Sequence, residues 1–137
     1  MRNASQKNYK NILLAVSGMS PQIITETLYA LVTAKKWIPD EIHLVTTETG
    51  KNQAVLQLLE GQRHFSKFLK DYRVKQPILF NESTIHVICD AKGLPMQDMK
   101  TPEDNEAAAN CITDKIRELT ANPDNELHVS LAGGRKT

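Results

Sequence analysis

The stretch Ile12-Leu-Leu-Ala-Val16, followed at once by Ser17-Gly-Met-Ser-Pro-Gln22, decides the fold of this 137-residue chain. A run of apolar residues without alternation is typical of a parallel strand that is buried on both faces. Ser20 and Pro21 then supply an N-cap and a first helical residue. Apolar residues recur at helical spacing from there to about Lys36, so the stretch predicts a strand, a loop and a helix.

The rest of the chain repeats this alternation. Apolar segments predict three further strands, over residues 41–47, 84–89 and 126–131. Helical periodicity predicts helices over residues 55–72, with a possible bend at Gly61, and over residues 102–119, where Thr101 opens a capping box. Residues 48–50 are predicted to form a turn. The order β-α-β-α-β-α-β indicates an α/β fold, a Rossmann-like parallel sheet flanked by helices and joined by right-handed crossovers.

Composition limits the classes of function. Residues 1–10 are predicted to be a polar tail, and residues 11–137 one Rossmann-like domain that is expected to be truncated after the fourth strand. Seventeen basic against sixteen acidic residues give a net charge of +1, so anion binding must be local and neither DNA nor membrane is an expected partner. No apolar run could span a membrane, and the N-terminus lacks a signal-peptide core. The two cysteines, Cys89 and Cys111, are expected to be buried free thiols in a reducing cytoplasm.

The most informative candidate site follows the last predicted strand, at Gly133-Gly-Arg-Lys-Thr137. Glycines let backbone N–H groups approach an anion, and Arg135 and Lys136 add positive charge at the same point. In α/β sheets, ligands bind beyond the carboxyl ends of the strands. Arg135 breaks the spacing of a Walker A loop, and Gly18 alone does not make a dinucleotide fingerprint, so neither P-loop NTPase activity nor NAD or FAD binding is favoured.

Other residues at the same predicted edge have two interpretations each. The loop from Ser17 to Gln22 either binds an anion at a helix start or merely caps the helix. Thr47 and Glu48 either contact a ligand or form a turn with a helix cap, and Asn105 lies in a first turn where capping is the simpler role. The four histidines are scattered, so we expect core or inter-strand residues and no metal site.

Four segments together resemble a CRISPR-associated Rossmann-fold (CARF) domain, and most closely the small stand-alone members without a fused effector. The segments are Ile12-Leu-Leu-Ala-Val-Ser-Gly-Met-Ser-Pro-Gln-Ile-Ile-Thr-Glu-Thr-Leu28, Thr46-Thr-Glu-Thr-Gly50, Thr101-Pro-Glu-Asp-Asn-Glu-Ala-Ala-Ala109 and His128-Val-Ser-Leu-Ala-Gly-Gly-Arg-Lys-Thr137. The resemblance implies a cytoplasmic homodimer that binds cyclic oligoadenylate made by type III CRISPR complexes. Cyclic tetra-adenylate has a two-fold symmetry that suits such a dimer. Family members continue past the last segment into an apolar helix and further strands.

Some stand-alone members are ring nucleases, which implies an activity that needs neither metal nor cofactor. A ribose 2′-hydroxyl attacks the adjacent phosphorus and leaves a 2′,3′-cyclic phosphate, while the protein positions the ring and neutralises charge. The alternative implied by the same resemblance is a non-catalytic sensor module that binds the ring and regulates an effector. A third interpretation is an α/β domain that binds another nucleotide.

The resemblance assigns roles to residues of this chain. The residues implied in catalysis are Ser20, Arg135 and Lys136. The residues implied in ligand binding are Ser17, Gly18, Met19, Ser20, Pro21, Gln22, Thr47, Glu48, Asn105, Gly133, Gly134, Arg135, Lys136 and Thr137. Of these, Gly18, Met19, Gly133 and Gly134 act through backbone N–H groups. No general base is evident.

Overall fold

A computed structural model describes residues 10–17, 22–59, 64–74, 77–90, 92–98 and 101–131. The strands are β1 (Lys10–Val16), β2 (Glu41–Thr46), β3 (Ile85–Val87) and β4 (Asn125–Leu131). The helices are α1 (Gln22–Ala34), α2 (Glu48–Ala54), α3 (His64–Asp71) and α4 (Pro102–Leu119). A π-helical turn at Val55–Leu59 extends α2, and a 3-10 turn at Glu82–Thr84 precedes β3.

The four strands form one parallel sheet in the order β3-β2-β1-β4. β1 therefore lies between two neighbours and beneath helices on both faces. This explains its continuous apolar run, because Leu13, Leu14 and Ala15 are all fully buried. The predicted α/β class with a parallel sheet is confirmed.

The core has two layers, one on each face of the sheet. Leu13, Ala15 and Leu44 point towards α1, α2 and α3, whereas Leu14 and Val45 point towards α4. Successive residues of a strand face opposite sides, so β1 contributes alternately to both layers. Burying each large aliphatic side chain contributes about 1.5–3 kcal/mol to the stability of the fold. Because β1 places such side chains in both layers, both layers depend on this strand.

Three local predictions were wrong. Residues 48–50 do not form a turn but begin α2, because the Thr47 side chain accepts a hydrogen bond from the Gly50 N–H at 3.1 Å and caps the helix. The third strand ends at Val87, since the chain turns away and Cys89 forms an antiparallel bridge with Pro95. This turn leaves the Cys89 thiol exposed and not buried as expected, while Cys111 on α4 is half-buried. Gly61 lies outside the described residues.

The predicted start of α4 is confirmed. The Thr101 hydroxyl accepts from the Asp104 N–H at 3.1 Å, and the Asp104 carboxylate accepts from the Thr101 N–H at 3.2 Å. Pro102 occupies the first helical turn, where its missing N–H costs nothing. In the part of the chain that the structure describes, no helix is long and apolar enough to cross a membrane.

Candidate functional site

The candidate site is the carboxyl edge of the sheet, where β1 ends at Val16, β2 at Thr46 and β4 at Leu131. Val16 is the register partner of Leu131, so β1 and β4 end side by side. Neighbouring strands lie about 4.8 Å apart. The loop after β1 and the glycine-rich segment after β4 therefore leave the sheet from adjacent positions. Ser130 Oγ, which lies 3.1 Å from Thr27 Oγ1 on α1, ties the end of β4 to that helix.

Ser17 is the one residue of the loop after β1 whose side chain the structure describes. It is 3% exposed, and its N–H donates to the Val45 carbonyl at 3.1 Å, which continues the ladder between β1 and β2. Gln22 begins α1. The other predicted residues of the two segments lie outside the described residues. They are Gly18, Met19, Ser20, Pro21, Gly133, Gly134, Arg135, Lys136 and Thr137.

Thr47 and Glu48 follow β2 directly and are held by different contacts. Thr47 is fully buried and caps α2. The half-buried Glu48 accepts a hydrogen bond from Gln97 Nε2 at 2.6 Å, and its own N–H donates to the Met96 carbonyl at 2.8 Å. The Glu48 carboxylate is therefore an anchored acceptor at the carboxyl edge, whereas Thr47 determines where α2 begins.

The segment from Ile88 to Gln97, which we call the β3–α4 loop, brings Gln97 to Glu48. The Ile88 N–H donates to the Thr46 carbonyl, and the Met96 N–H donates to the Ile88 carbonyl, both at 2.8 Å. The Met96 side chain is buried in the α4 layer. Sequence reasoning missed Gln97. The apolar residues Leu94, Pro95 and Met96 within a polar loop were the available signal that the loop folds back onto the core, although the sequence does not show which of them is buried.

Asn105 lies in the first turn of α4, and its side chain is exposed. Its N–H donates to the Thr101 carbonyl at 3.1 Å. Because crossover helices run antiparallel to the strands they connect, α1 and α4 both begin at the carboxyl edge. Their macrodipoles place partial positive charge there, which favours an anionic ligand.

Two of the scattered histidines meet on the α4 side of the sheet. His43 on β2 and His86 on β3 lie within hydrogen-bonding distance, with His43 Nδ1 2.9 Å from His86 Nε2, as expected of inter-strand residues. Burial lowers the pKa of His86 to about 4, and the nearby Lys115 charge contributes. Among the described residues, no cluster of three potential ligands could hold a metal ion.

The fold and its carboxyl edge define the class of protein: an α/β domain with a Rossmann-like parallel sheet. Residues 20–137 match the family described as CRISPR-associated protein NE0113, and the chain belongs to that family. This membership links the protein to CRISPR systems. Neither the search of curated proteins nor the search of solved structures found a match.

Proposed function

We propose that this protein binds cyclic oligoadenylate at the carboxyl edge and cleaves it as a metal-independent ring nuclease. The observation that carries the proposal is the register between Val16 and Leu131. Because of this register, the loop that contains Ser20 and the segment that contains Arg135 and Lys136 begin at adjacent positions on the sheet. A hydroxyl and two cations, carried on segments that begin side by side, would suit one phosphodiester group. Membership of a CRISPR-associated family supports the choice of ligand.

The proposed reaction needs positioning and charge neutralisation. The 2′-hydroxyl gives its proton to solvent and its oxygen attacks the neighbouring phosphorus. The bond to the 5′-oxygen breaks, that oxygen takes up a proton from solvent, and a 2′,3′-cyclic phosphate remains on the product. Lys136 and Arg135 stabilise the negative charge on the phosphoryl oxygens, and Ser20 holds the phosphate. Backbone N–H groups of Gly18, Met19, Gly133 and Gly134 complete the binding of the anion.

The described residues of the carboxyl edge have complementary roles in this proposal. Glu48 is unsuited to a phosphate because both are negative, but its carboxylate can accept from a ribose hydroxyl or an adenine amino group. Thr47 is buried, so it acts by setting the start of α2 and hence the position of Glu48. The exposed side chain of Asn105 has the donors and acceptor to contact ribose or base.

A homodimer completes the proposal. Two carboxyl edges that face each other across a two-fold axis would contact equivalent halves of cyclic tetra-adenylate. A type III CRISPR complex is the proposed source of the ring. Cleavage would then end the signal that the complex starts.

The test is incubation of the protein with labelled cyclic tetra-adenylate in EDTA, followed by separation of the products. We expect linear fragments that end in a 2′,3′-cyclic phosphate. Lys136→Ala should slow cleavage by roughly 100-fold, as expected for loss of one transition-state contact. Lys35→Ala is the matched control, because this exposed lysine follows α1 at the opposite edge of the sheet, and it should leave the rate unchanged.

Three results would each contradict a different part of the proposal. If the ring binds but stays intact, the protein is a sensor module and not a nuclease. If the ring neither binds nor reacts, the choice of ligand is wrong. If Lys136→Ala cleaves the ring as fast as Lys35→Ala, the choice of ligand is supported but the assignment of Lys136 to the site is wrong.

A further inference from the structure

Four side chains form a continuous chain of polar contacts across three strands. Lys10 Nζ on β1 donates to Glu41 Oε2 at 2.7 Å. Glu41 Oε1 lies 3.0 Å from His43 Nε2, and His43 Nδ1 lies 2.9 Å from His86 Nε2. The two imidazole planes are nearly parallel, at 7°. The proposed nuclease reaction uses none of these groups.

The contacts determine where the protons lie. An ionised carboxylate only accepts, so His43 Nε2 carries the hydrogen towards Glu41. In neutral His43 the other nitrogen, Nδ1, is then an acceptor, and His86 Nε2 donates to it. One added proton can be shared, because a charged His43 donates from both nitrogens while His86 becomes the acceptor. A second added proton leaves two N–H groups facing each other, and the 2.9 Å contact is lost.

The groups around His86 oppose the second proton. Burial is the largest cause of its lowered pKa of about 4, followed by the positive charge of Lys115 on α4 and then by His43. Lys51 on α2 acts in the same direction, and Glu118 on α4 acts against it. His86 thus stays neutral at pH values where a histidine of the unfolded chain is already charged.

The histidine contact joins the shortest strand to the sheet. β3 has three residues, lies at an edge and has only β2 as a neighbour among the described strands. It leads directly into the β3–α4 loop, whose Met96 and Gln97 reach Glu48. An event that releases β3 therefore also releases the described contacts of Glu48 at the carboxyl edge.

We propose that His43 and His86 form a proton-operated clasp that fastens β3 and the β3–α4 loop to the sheet. With no added proton or one, the clasp is closed. When acid protonates both rings, the clasp opens, and β3 with its loop separates from β2. This regulation is independent of which ligand the carboxyl edge binds.

The direction of the pH effect follows from the pKa of His86. Its pKa in the closed clasp, about 4, lies below the ordinary value of 6.5. The released strand therefore takes up protons more readily than the docked one. Docking is fully favoured above about pH 6.5 and weakens as the pH falls towards 4.

Hydrogen exchange of the intact protein, followed by mass spectrometry or NMR, tests the clasp. Between pH 7 and pH 5, after correction for intrinsic rates, protection of residues 85–88 should fall by about 10-fold relative to Leu13 on β1. This 10-fold fall is smaller than the full pKa difference would give, because solvent partly screens the half-buried His86. His86→Gln keeps a donor but cannot titrate, so the fall should disappear. His128→Gln, in β4 on the other side of β1, should retain it.

Two results would overturn the proposal. One is a protection ratio that stays constant in the unmodified protein, or that changes equally in His86→Gln. The other comes from ¹⁵N spectra of the unmodified protein near neutral pH, which need no variant. They should show His43 protonated at Nε2 and unprotonated at Nδ1, and the opposite tautomer would remove the basis of the clasp.

Discussion

At the scale of single residues, Cys89 and Cys111 should differ in reactivity. The Cys89 thiol is exposed in the β3–α4 loop, whereas burial raises the pKa of Cys111 on α4. Thiolate is the reactive form, so iodoacetamide at pH 7.5 should alkylate Cys89 roughly 5-fold faster or more. Peptide mass spectrometry over time measures both rates. Unfolding in urea should make them equal, and equal rates in the folded protein would contradict the described burial.

Gln97 should affect ligand binding although it was not a predicted site residue. Its side chain donates to Glu48 at 2.6 Å and holds that carboxylate at the carboxyl edge. Gln97→Ala should weaken binding of cyclic tetra-adenylate by about 3- to 10-fold, the effect of one lost hydrogen bond. Titration calorimetry measures the affinity.

The control for Gln97 is Gln57→Ala. Gln57, in the π-helical turn that extends α2, also makes a side-chain amide contact, because it donates to Gln53 on α2 at 2.9 Å. It has no described contact with Glu48, so its loss should leave the affinity unchanged. Equal affinities for both variants would show that anchoring of Glu48 does not contribute to binding.

At the scale of elements, the N-terminal cap of α4 should contribute measurably to stability. Thr101 and Asp104 satisfy each other's backbone N–H groups, and Glu103 and Asp104 lie favourably in the positive end of the helix dipole. Thr101→Ala should lower the free energy of unfolding by about 1 kcal/mol. Thr113→Ala, on the exposed surface of the same helix, should be neutral or slightly stabilising because alanine is the better helix former. Urea unfolding measures both, and equal losses would contradict the capping role.

The boundaries of elements show which local signals were sufficient. The start of α4 was predicted correctly because Thr101, Pro102 and Asp104 specify a helix start through their own short-range contacts. The prediction of a turn at residues 48–50 was wrong because glycine is typical of turns, whereas the Gly50 N–H here donates to the Thr47 side chain at the start of α2. β3 was predicted too long because an apolar run continues through Cys89 after the chain has left the sheet.

At the scale of the whole molecule, β1 joins both core layers, so truncation there should cost more than truncation at the surface. Leu14 is fully buried on the α4 side of β1, whereas Leu56 in the π-helical turn is 57% exposed. Leu14→Ala should lower the free energy of unfolding by about 3 kcal/mol, and Leu56→Ala by about 0.5 kcal/mol or less. Chemical denaturation measures both. Similar losses would mean that β1 does not hold the central position described.

By itself, the sequence determined the α/β class, the order of strands and helices, the capped start of α4 and the segments that resemble a CARF domain. These features depend on hydrophobic period and on short-range capping, both of which act between residues close in the chain. The strand order β3-β2-β1-β4, and with it the adjacency of Val16 and Leu131, was decided only by the tertiary structure. Strand pairing depends on contacts between distant parts of the chain, so no local sequence pattern predicts which strands are neighbours in the sheet.

The same reason explains which contacts, at the site and elsewhere on the sheet, the sequence could predict. Ser17, Thr47 and Glu48 were recognised because they follow apolar strands directly. Gln97 and the pair of His43 and His86 were not, because their partners lie more than forty residues away in the chain. Such contacts form only when the crossovers have brought β2, β3 and the β3–α4 loop together, since the free energy that holds them comes from packing the whole sheet.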